Sequence, residues 1–263
     1  MTHLSAFLLS IALLLAPVVS SQAAPSAATS LRAGTLDGPK RTAAMAAFEQ
    51  HVLKTYAACG LTPTGLPVLV FREALIGYYA MQERGLVGAQ KQTITIIDFN
   101  RPSTKKRLWV VDLAQQKLLF NTLVAHGKGT GEDYATAFSN VSGSEQSSIG
   151  FYLTGATYMG KHGLSLKLHG KDPKYNSNAA SRAVVIHGAE YVCQEFINKH
   201  GRLGRSQGCP ALPPDQTSAI VKTIKGGTVV YAHAPRGVAY ASAWLQLDLA
   251  LAAFARTTGI VMG

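Results

Sequence analysis

The sequence predicts a mainly β protein with a helical N-terminal extension. Residues 41–58 and 66–82 carry apolar side chains at mostly three- and four-residue steps, the period of amphipathic helices. From residue 93 onward, apolar residues instead form short runs rich in Ile, Val, Leu and Trp, as strands do. With 263 residues, three cysteines, 47% apolar and 15% charged residues, the chain is neither disordered nor a disulfide miniprotein.

The N-terminal segment has the pattern of a secretory signal. Residues 4–19 are almost wholly apolar, and the small residues of Ser21-Gln22-Ala23-Ala24 follow, so we expect cleavage after Ala23. This run of 16 residues is shorter than the roughly 20 that a spanning helix needs, which makes a permanent anchor the weaker interpretation. The mature protein is therefore expected to be periplasmic or otherwise extracytoplasmic, with no stable membrane span.

The net charge of +11 lies entirely beyond residue 23, because residues 1–23 contain no Lys, Arg, Asp or Glu. An exported basic protein meets anionic wall polymers, lipid headgroups or acidic peptides. A solubilising surface charge is the alternative explanation. Nucleic-acid binding is not expected, since no basic run with interleaved aromatic residues and no binding motif occurs.

The order of the patterns divides the chain into four parts. Two helices are predicted in an extension over residues 24–88, and a docked amphipathic helix, or less probably a membrane-surface helix, in the tail over 237–263. The segment between them, 89–236, holds two predicted hairpins, a long loop, further apolar runs and one helix. These lie at residues 93–99, 107–113 and 117–125 for the hairpin strands, 127–148 for the loop, 150–154, 183–187 and 228–232 for the runs, and 216–224 for the helix.

A histidine and a cysteine in this middle segment are suited to nucleophilic catalysis. His187 ends the apolar run Val184-Val185-Ile186, and Cys209 follows Gly208. A thiol with a pKa of about 8.5 is only slightly ionised at neutral pH, so it needs an imidazole to accept its proton. A main-chain carbonyl can orient that imidazole through its other nitrogen. The backbone amides of Gly208 and Cys209 are candidates to donate to a developing oxyanion. A bare Cys/His pair is equally consistent with a buried cysteine and a structural histidine.

The sequence around these residues resembles that of the YkuD-like L,D-transpeptidases, and most closely that of the branch of murein L,D-transpeptidase catalytic domain proteins. The similarity extends from about residue 93 to residue 231. It includes Ser206-Gln207-Gly208-Cys209-Pro210-Ala211-Leu212, His187-Gly188, Ile97-Asp98-Phe99, Arg107-Leu108-Trp109-Val110-Val111-Asp112-Leu113, Leu123-Val124-Ala125-His126-Gly127-Lys128, Phe138-Ser139-Asn140, Ser147-Ser148-Ile149-Gly150-Phe151-Tyr152 and Gly201-Arg202-Leu203-Gly204-Arg205.

The resemblance implies a mixed β-sandwich-like catalytic domain and an activity on peptidoglycan stem peptides. By analogy, Cys209 attacks the carbonyl between the third stem residue, often diaminopimelate, and the terminal D-Ala. D-Ala then leaves a thioester, and the side-chain amine of a second stem closes a 3→3 cross-link. His187 corresponds to the proton-transferring histidine, and Ser206 to the family's Ser before Gly-Cys. The resemblance also implies a covalent carbapenem adduct on Cys209.

The chain departs from the longer-known family pattern around the nucleophile. Gln207 stands where the family has a second histidine, and Gln cannot exchange a proton near neutral pH, so it can only orient or hydrogen-bond. Eighteen residues separate His187 from Ser206, slightly more than is usual, and Pro210-Ala211 replaces an apolar residue followed by Asn or Arg. His187 is thus the sole evident base.

Several further residues are candidates for substrate binding. Arg205, with Arg202 nearby, can grip a stem-peptide carboxylate in a bidentate manner, although solvent-exposed charge explains both arginines equally well. Ordinary packing is the default alternative for the tyrosines. The other candidates for the groove are Gln207, Tyr152, His126, His162, His169 and Tyr175.

Neither a metal nor another cofactor is expected. The eight histidines, which include His162, His169 and His187, are potential zinc ligands, but His-Glu-x-x-His and close Cys/His clusters are missing from the sequence. Three cysteines leave at least one unpaired within the chain. If Cys209 is the nucleophile, Cys59 and Cys193 are free to form a disulfide.

Three functions fit the sequence. The first is an L,D-transpeptidase acting on peptidoglycan. The second is an L,D-carboxypeptidase or amidase, which uses the same thioester but water as acceptor. The third is a non-catalytic wall-binding protein in which Cys209 is structural.

Overall fold

The computed structural model describes residues 38–259 together with Met1, and this part of the chain contains five α-helices, three short 3-10 helices and eight strands. The predicted signal segment, 1–23, lies outside these residues, apart from Met1. In chain order the elements are α1 (Gly38–Ala58), α2 (Val68–Glu83), β1 (Thr93–Asp98), β2 (Leu108–Asp112), β3 (Lys117–Thr122), β4 (Gly150–Gly160), β5 (Gly163–Gly170), β6 (Val185–Gly188), α3 (Gln194–His200), β7 (Ala211–Leu212), α4 (Pro214–Ile224), β8 (Val229–His233) and α5 (Leu247–Thr258).

The eight strands form one mixed sheet in the order β3-β2-β1-β8-β4-β5-β6-β7. Strand β1 runs parallel to β8 and β6 parallel to β7, while the remaining neighbours are antiparallel. The predicted mainly β, mixed-sheet fold class is thereby confirmed, and so are the two hairpins β1–β2 and β2–β3. The sequence analysis missed β5, β7 and α3, and it ended β4 six residues early, at 154 instead of 160.

Alternation along the strands gives the sheet two buried faces. In β8, Val229 and Tyr231 belong to one hydrophobic cluster, while Val230 and Ala232 belong to another. Because successive strand side chains point to opposite faces, a fully apolar strand indicates a sheet that is covered on both sides. The first cluster includes α1, α2 and α5, and the second includes α4.

The C-terminal tail forms a docked helix, one of the two alternatives that its sequence allowed. Phe254 of α5 lies edge-on to Phe48 of α1, with ring centroids 5.4 Å apart, and edge-on to Tyr79 of α2, at 5.5 Å. Seven consecutive residues of α5, from Leu249 to Ala255, are buried. Among the described residues, no helix has the length and apolar content that crossing a bilayer requires.

The suggested disulfide between Cys59 and Cys193 is not present, because all three cysteines are free. Cys59 is buried in the cluster of α1 and α2, where burial raises the pKa of its thiol to about 11. Cys193 caps α3, where its sulfur accepts a hydrogen bond from the Phe196 amide at 3.4 Å. Each thiol is thus part of a separate local structure.

Candidate active site

Pairing between β6 and β7 brings the predicted nucleophile and base together. His187 lies opposite Ala211 in this parallel pair, and the His187 amide donates to the Pro210 carbonyl at 3.4 Å. Cys209 directly precedes Pro210 in the chain. The sheet register therefore places two residues that are far apart in sequence at one sheet edge.

An open cleft of about 420 Å³ lies at this edge, and both residues line it. Five sequence-predicted site residues contribute to its wall: Cys209, His187, Ser206, Arg205 and Gln207. The β4–β5 hairpin contributes a further part of the wall through Tyr158, Lys161, His162 and Ser165. No residue that lines this cleft belongs to α1, α2 or α5.

The imidazole of His187 is held so that one nitrogen is available as a proton acceptor. Its Nδ1 lies 2.9 Å from the Gly188 carbonyl oxygen. Because a carbonyl oxygen only accepts, Nδ1 carries the hydrogen and Nε2 holds the lone pair of the neutral ring. Burial lowers the pKa of His187, and the charges of His162 and Lys161 lower it further, while the bond to Gly188 acts in the opposite direction. The ring is therefore neutral at neutral pH.

The thiol of half-buried Cys209 is also neutral in the resting site. Its sulfur donates to the Ala183 carbonyl at 3.7 Å and accepts from the Val185 amide at 3.4 Å. Burial raises its pKa, and the Val185 amide and the charge of Arg182 partly offset that effect. Within residues 38–259, no hydrogen bond joins the Cys209 sulfur to His187. The pair is thus a thiol and an imidazole, without a preformed ion pair.

Gly208 and Ser206 shape the turn that carries Cys209, the proposed nucleophile. Gly208 has φ of +121°, and a Cβ there would lie 2.7 Å from the Gln146 carbonyl oxygen, so only glycine fits. The Gly208 amide donates to Ser206 Oγ at 3.0 Å, and Ser206 Oγ donates to the Cys209 carbonyl at 2.6 Å. The Gly208 amide is therefore already occupied, which corrects the expectation that it serves an oxyanion.

The charged candidate Arg205 lines the cleft but is already paired. Its guanidinium donates to Glu132 Oε1 at 2.6 Å and to the Gly131 carbonyl at 2.9 Å. Glu132 also pairs with Arg202, at 2.8 Å. A substrate carboxylate would compete with this carboxylate for Arg205. Gln207, by contrast, is exposed in the cleft wall.

Two predicted substrate-binding residues, His126 and Tyr152, are buried and do not line the cleft. Tyr152 is 3% exposed, and its hydroxyl donates to Ser148 Oγ at 2.8 Å. His126 is 1% exposed and accepts at Nδ1 from Arg107 at 2.7 Å. Burial, followed by the charge of Arg107, lowers the pKa of His126 to about 4. Both residues are structural, because polar groups that are buried need internal partners.

Of the other groove candidates, only His162 lines the cleft. His169 lines a neighbouring, more apolar cavity, and Tyr175 stacks edge-on against Tyr240 with ring centroids 4.9 Å apart. Within the described chain, no three His, Cys, Asp or Glu side chains are grouped so that they could hold a metal ion.

The sequence analysis missed Arg182, which lies beside the nucleophile turn. Its guanidinium donates to the Ser139 carbonyl at 2.6 Å and to the Gln146 carbonyl at 2.6 Å, so it fixes the long loop. Its charge lowers the pKa of Cys209. The only sequence signal was its place three residues before the strand of His187.

Comparison with known proteins identifies one family and several solved structures. The family described as L,D-transpeptidase catalytic domain matches residues 64–233, more than half of the chain. No curated protein matches. A structure titled L,D-transpeptidase from Mycobacterium smegmatis matches with 12% identity and a TM-score of 0.35, covering 54% of this chain and 59% of its own. Thus this chain spans about three fifths of that protein's length.

Two further solved structures are similar to the chain. The LD transpeptidase LdtMt1 in complex with imipenem has 14% identity and a TM-score of 0.34, with 54% of this chain and 59% of that one covered. The helical cell shape determining protein Pgp2 from Campylobacter jejuni has 13% identity and a TM-score of 0.39, with 67% and 62% covered.

Proposed function

Because this chain belongs to the L,D-transpeptidase catalytic domain family, we propose that it is a peptidoglycan L,D-transpeptidase that forms 3→3 cross-links through a thioester on Cys209. The observation that carries the proposal is the common cleft of Cys209 and His187, in which the bond from His187 Nδ1 to Gly188 leaves Nε2 free to accept a proton. Neither side chain needs a metal or cofactor for this role.

Acylation begins when the Cys209 thiol transfers its proton to His187 Nε2 as its sulfur attacks the carbonyl carbon before the terminal D-Ala. The new C–S bond forms a tetrahedral intermediate. His187 then gives the proton to the amide nitrogen, the C–N bond breaks, and D-Ala leaves with a free amine. The thiol first turns away from the Ala183 carbonyl, to which it donates at rest.

Transfer reverses these roles with a second stem peptide. Its side-chain amine attacks the thioester carbonyl, His187 accepts the amine's proton, and the C–S bond breaks. The sulfur recovers the proton from His187, and an amide cross-link remains. The Cys209 amide is the donor of this turn that we assign to the oxyanion, because the Gly208 amide is bonded to Ser206.

Arg205 and Gln207 are proposed to bind the stem peptide, since both line the cleft. The Arg205 guanidinium can bind a substrate carboxylate in a bidentate manner only if it gives up its hydrogen bond to Glu132. We also propose that the protein acts in the periplasm or another extracytoplasmic space, after removal of residues 1–23.

The function is tested by incubating the purified protein with stem tetrapeptides and identifying the products by mass spectrometry. We expect release of D-Ala and a 3→3 dimer. A tripeptide without dimer indicates a carboxypeptidase, in which water accepts the acyl group. Unchanged peptide together with retained binding to isolated sacculi indicates a wall-binding protein and refutes both enzymatic functions.

A carbapenem probes the nucleophile directly. The Cys209 sulfur should open the β-lactam ring, so intact-mass spectrometry should show a mass gain equal to that of the drug. The Cys209→Ala variant should show no gain, while Cys193→Ala, which removes another partly exposed thiol, should react as the wild type does. A wild-type protein that stays unmodified would count against the proposal.

A further inference from the structure

The turn of the β4–β5 hairpin brings a second imidazole to the site. Gly160 pairs with Gly163, so the turn consists of Lys161 and His162. The ring of His162 lies over that of His187, with centroids 4.6 Å apart and an interplanar angle of 27°. This is a stacked arrangement, and it covers one face of the proposed base.

We propose that His162 is a positioning residue that holds the His187 ring in its proton-accepting orientation by stacking on it. The inference rests on the proposed function of Cys209 and His187.

A second contact on His187 is needed for geometric reasons. The bond from Nδ1 to the Gly188 carbonyl holds one edge of the ring, but the ring can still tilt about that bond. A flat group against its face removes this freedom, and small misplacements of a base are costly for proton transfer. His162 supplies such a group and is itself an exposed residue.

The nucleophile loop itself has no aromatic ring that could stack on His187. Gln207, two residues before Cys209, is exposed and has no ring. Among the described residues that line the cleft, His162 is the one imidazole besides His187. The hairpin therefore places an aromatic ring where the nucleophile turn has none.

The charge of His162 also disfavours the protonated form of His187, since like charges close together repel. The charged and titratable groups around the two rings come from three segments. These are Tyr158 and Lys161 on the hairpin, Glu190 and Tyr191 after β6, and Arg205 and Cys209 on the nucleophile loop. Helix α4 presents only Pro214, Thr217 and Ser218 to this region, and none of them titrates.

The test compares His162→Phe, which keeps a flat ring but no charge, with His162→Ala, which removes both. His169→Ala is the matched control, because His169 is an exposed histidine of the same hairpin that lines a different cavity. Two quantities are measured as a function of pH: kcat/KM with stem tetrapeptides, and the imidazole resonance of His187 in protein labelled with 13C-histidine.

We expect His162→Ala to lower kcat/KM about tenfold and His162→Phe to stay within about twofold of the wild type, because positioning of the base is what changes. In both variants His187 should titrate at higher pH, and the acidic limb of the activity profile should move with it. His169→Ala should match the wild type in both measurements.

The proposal is overturned if His162→Ala leaves kcat/KM and the His187 titration unchanged. It is also overturned if Ala and Phe lower activity equally, since that result identifies a substrate contact. Failure of the proposed function is separately visible as a wild-type protein that releases no product. In that case the titration of His187 alone decides. A shift of its midpoint in both His162→Ala and His162→Phe supports contact between the rings, and an unchanged midpoint refutes it.

Discussion

Cys209 and His187 begin the reaction uncharged, and their surroundings explain why. Burial disfavours a thiolate and an imidazolium alike, and the two residues respond in opposite directions, with a raised pKa for the thiol and a lowered pKa for the imidazole. An ion pair would need both shifts reversed. In the proposed reaction, the proton therefore passes from Cys209 to His187 as the sulfur attacks, and not before.

Arg182 should tune the reactivity of this thiol. Its positive charge favours the thiolate, so Arg182→Gln should raise the pKa of Cys209 further and slow alkylation by iodoacetamide several-fold at a fixed, mildly alkaline pH. Site-resolved mass spectrometry measures the rate across a pH series. Arg182→Lys, which keeps the charge but loses the forked geometry, should show a smaller change.

Cys193 provides the internal control in the same samples, since it is a partly exposed thiol that caps α3. Its alkylation rate should not change in either variant. Equal slowing of both thiols would indicate a general loss of folding, and an unchanged rate for Cys209 in Arg182→Gln would contradict the assigned role.

At the residue scale, the sequence predicted the residues that carry a local motif and missed those that do not. Cys209 and His187 were found because each stands in a short pattern with a chemical meaning. Arg182 was missed because it reaches the site from a turn, where only the path before β6 decides its position. His162 was named as a groove candidate, but its place over His187 depends on the register of β4 with β5. Tyr152 and His126 were expected in the groove because their segments resemble the family, but their side chains are buried and hydrogen-bond inside the protein.

Among the elements, the turn before β7 is the most constrained. The loop over residues 127–148 packs against it so closely that a Cβ on Gly127 would lie 2.8 Å from the Gly208 Cα. Ser147 Oγ donates to the Gly208 carbonyl at 3.1 Å and accepts from the Gly127 amide at 3.0 Å. The long loop thus supports the turn that carries Cys209.

Gly208→Ala should therefore separate the loop from the turn. The new Cβ meets the backbone oxygen of Gln146, which cannot move away as a flexible side chain would. We expect kcat/KM to fall at least about tenfold, because Cys209 shifts with the turn. Enzyme assays and thermal unfolding measure the two effects.

Gly143→Ala is the control, since Gly143 has φ of +74° in the same loop but open space around it. It should cost only the left-handed strain, about 1–2 kcal/mol, with activity retained. Similar losses of activity in both variants would contradict the supporting role of the contact at Gly208.

The three missed elements differ in how much signal their sequences carry. Strand β5 carries Leu164, Leu166 and Leu168 in strict alternation with polar residues, so a period-two pattern was present and could have revealed it. Strand β7 has two residues and α3 has seven, which is too short for a periodic signal. Only tertiary pairing defines them.

For the whole molecule, helices from both ends of the described chain cover one face of the sheet. Helices α1 and α2 precede the sheet and α5 follows it, and all three share one hydrophobic cluster with Trp109 and Tyr231. The family match begins at residue 64, before α2, whereas the sequence analysis began the catalytic domain at 89. The division at residue 88 stays a prediction, and α2, which precedes it, is buried against the sheet.

Phe254→Ala measures how strongly the tail stabilises the fold. The ring contacts Phe48, His51 and Tyr79, so its removal should lower the free energy of unfolding by about 3–5 kcal/mol. Denaturant unfolding provides the value. At temperatures where the variant is folded, kcat/KM should not change, since no residue of α5 lines the cleft.

Leu53→Ala is the matched control on α1, because Leu53 is 59% exposed and should alter stability by no more than about 0.5 kcal/mol. Equal effects of the two substitutions would mean that the tail does not belong to the cooperative core.

Because β6 pairs in parallel with β7, the position of His187 relative to Cys209 does not depend on the number of residues between them. Both partners are anchored by the ladder itself, through His187 opposite Ala211, and the chain between them leaves the sheet and returns. Lengthening this excursion adds surface without displacing either anchor. The somewhat longer stretch between His187 and Ser206 therefore does not change the position of either residue. Gly201, which is exposed within this stretch, is a place where a foreign peptide can be inserted.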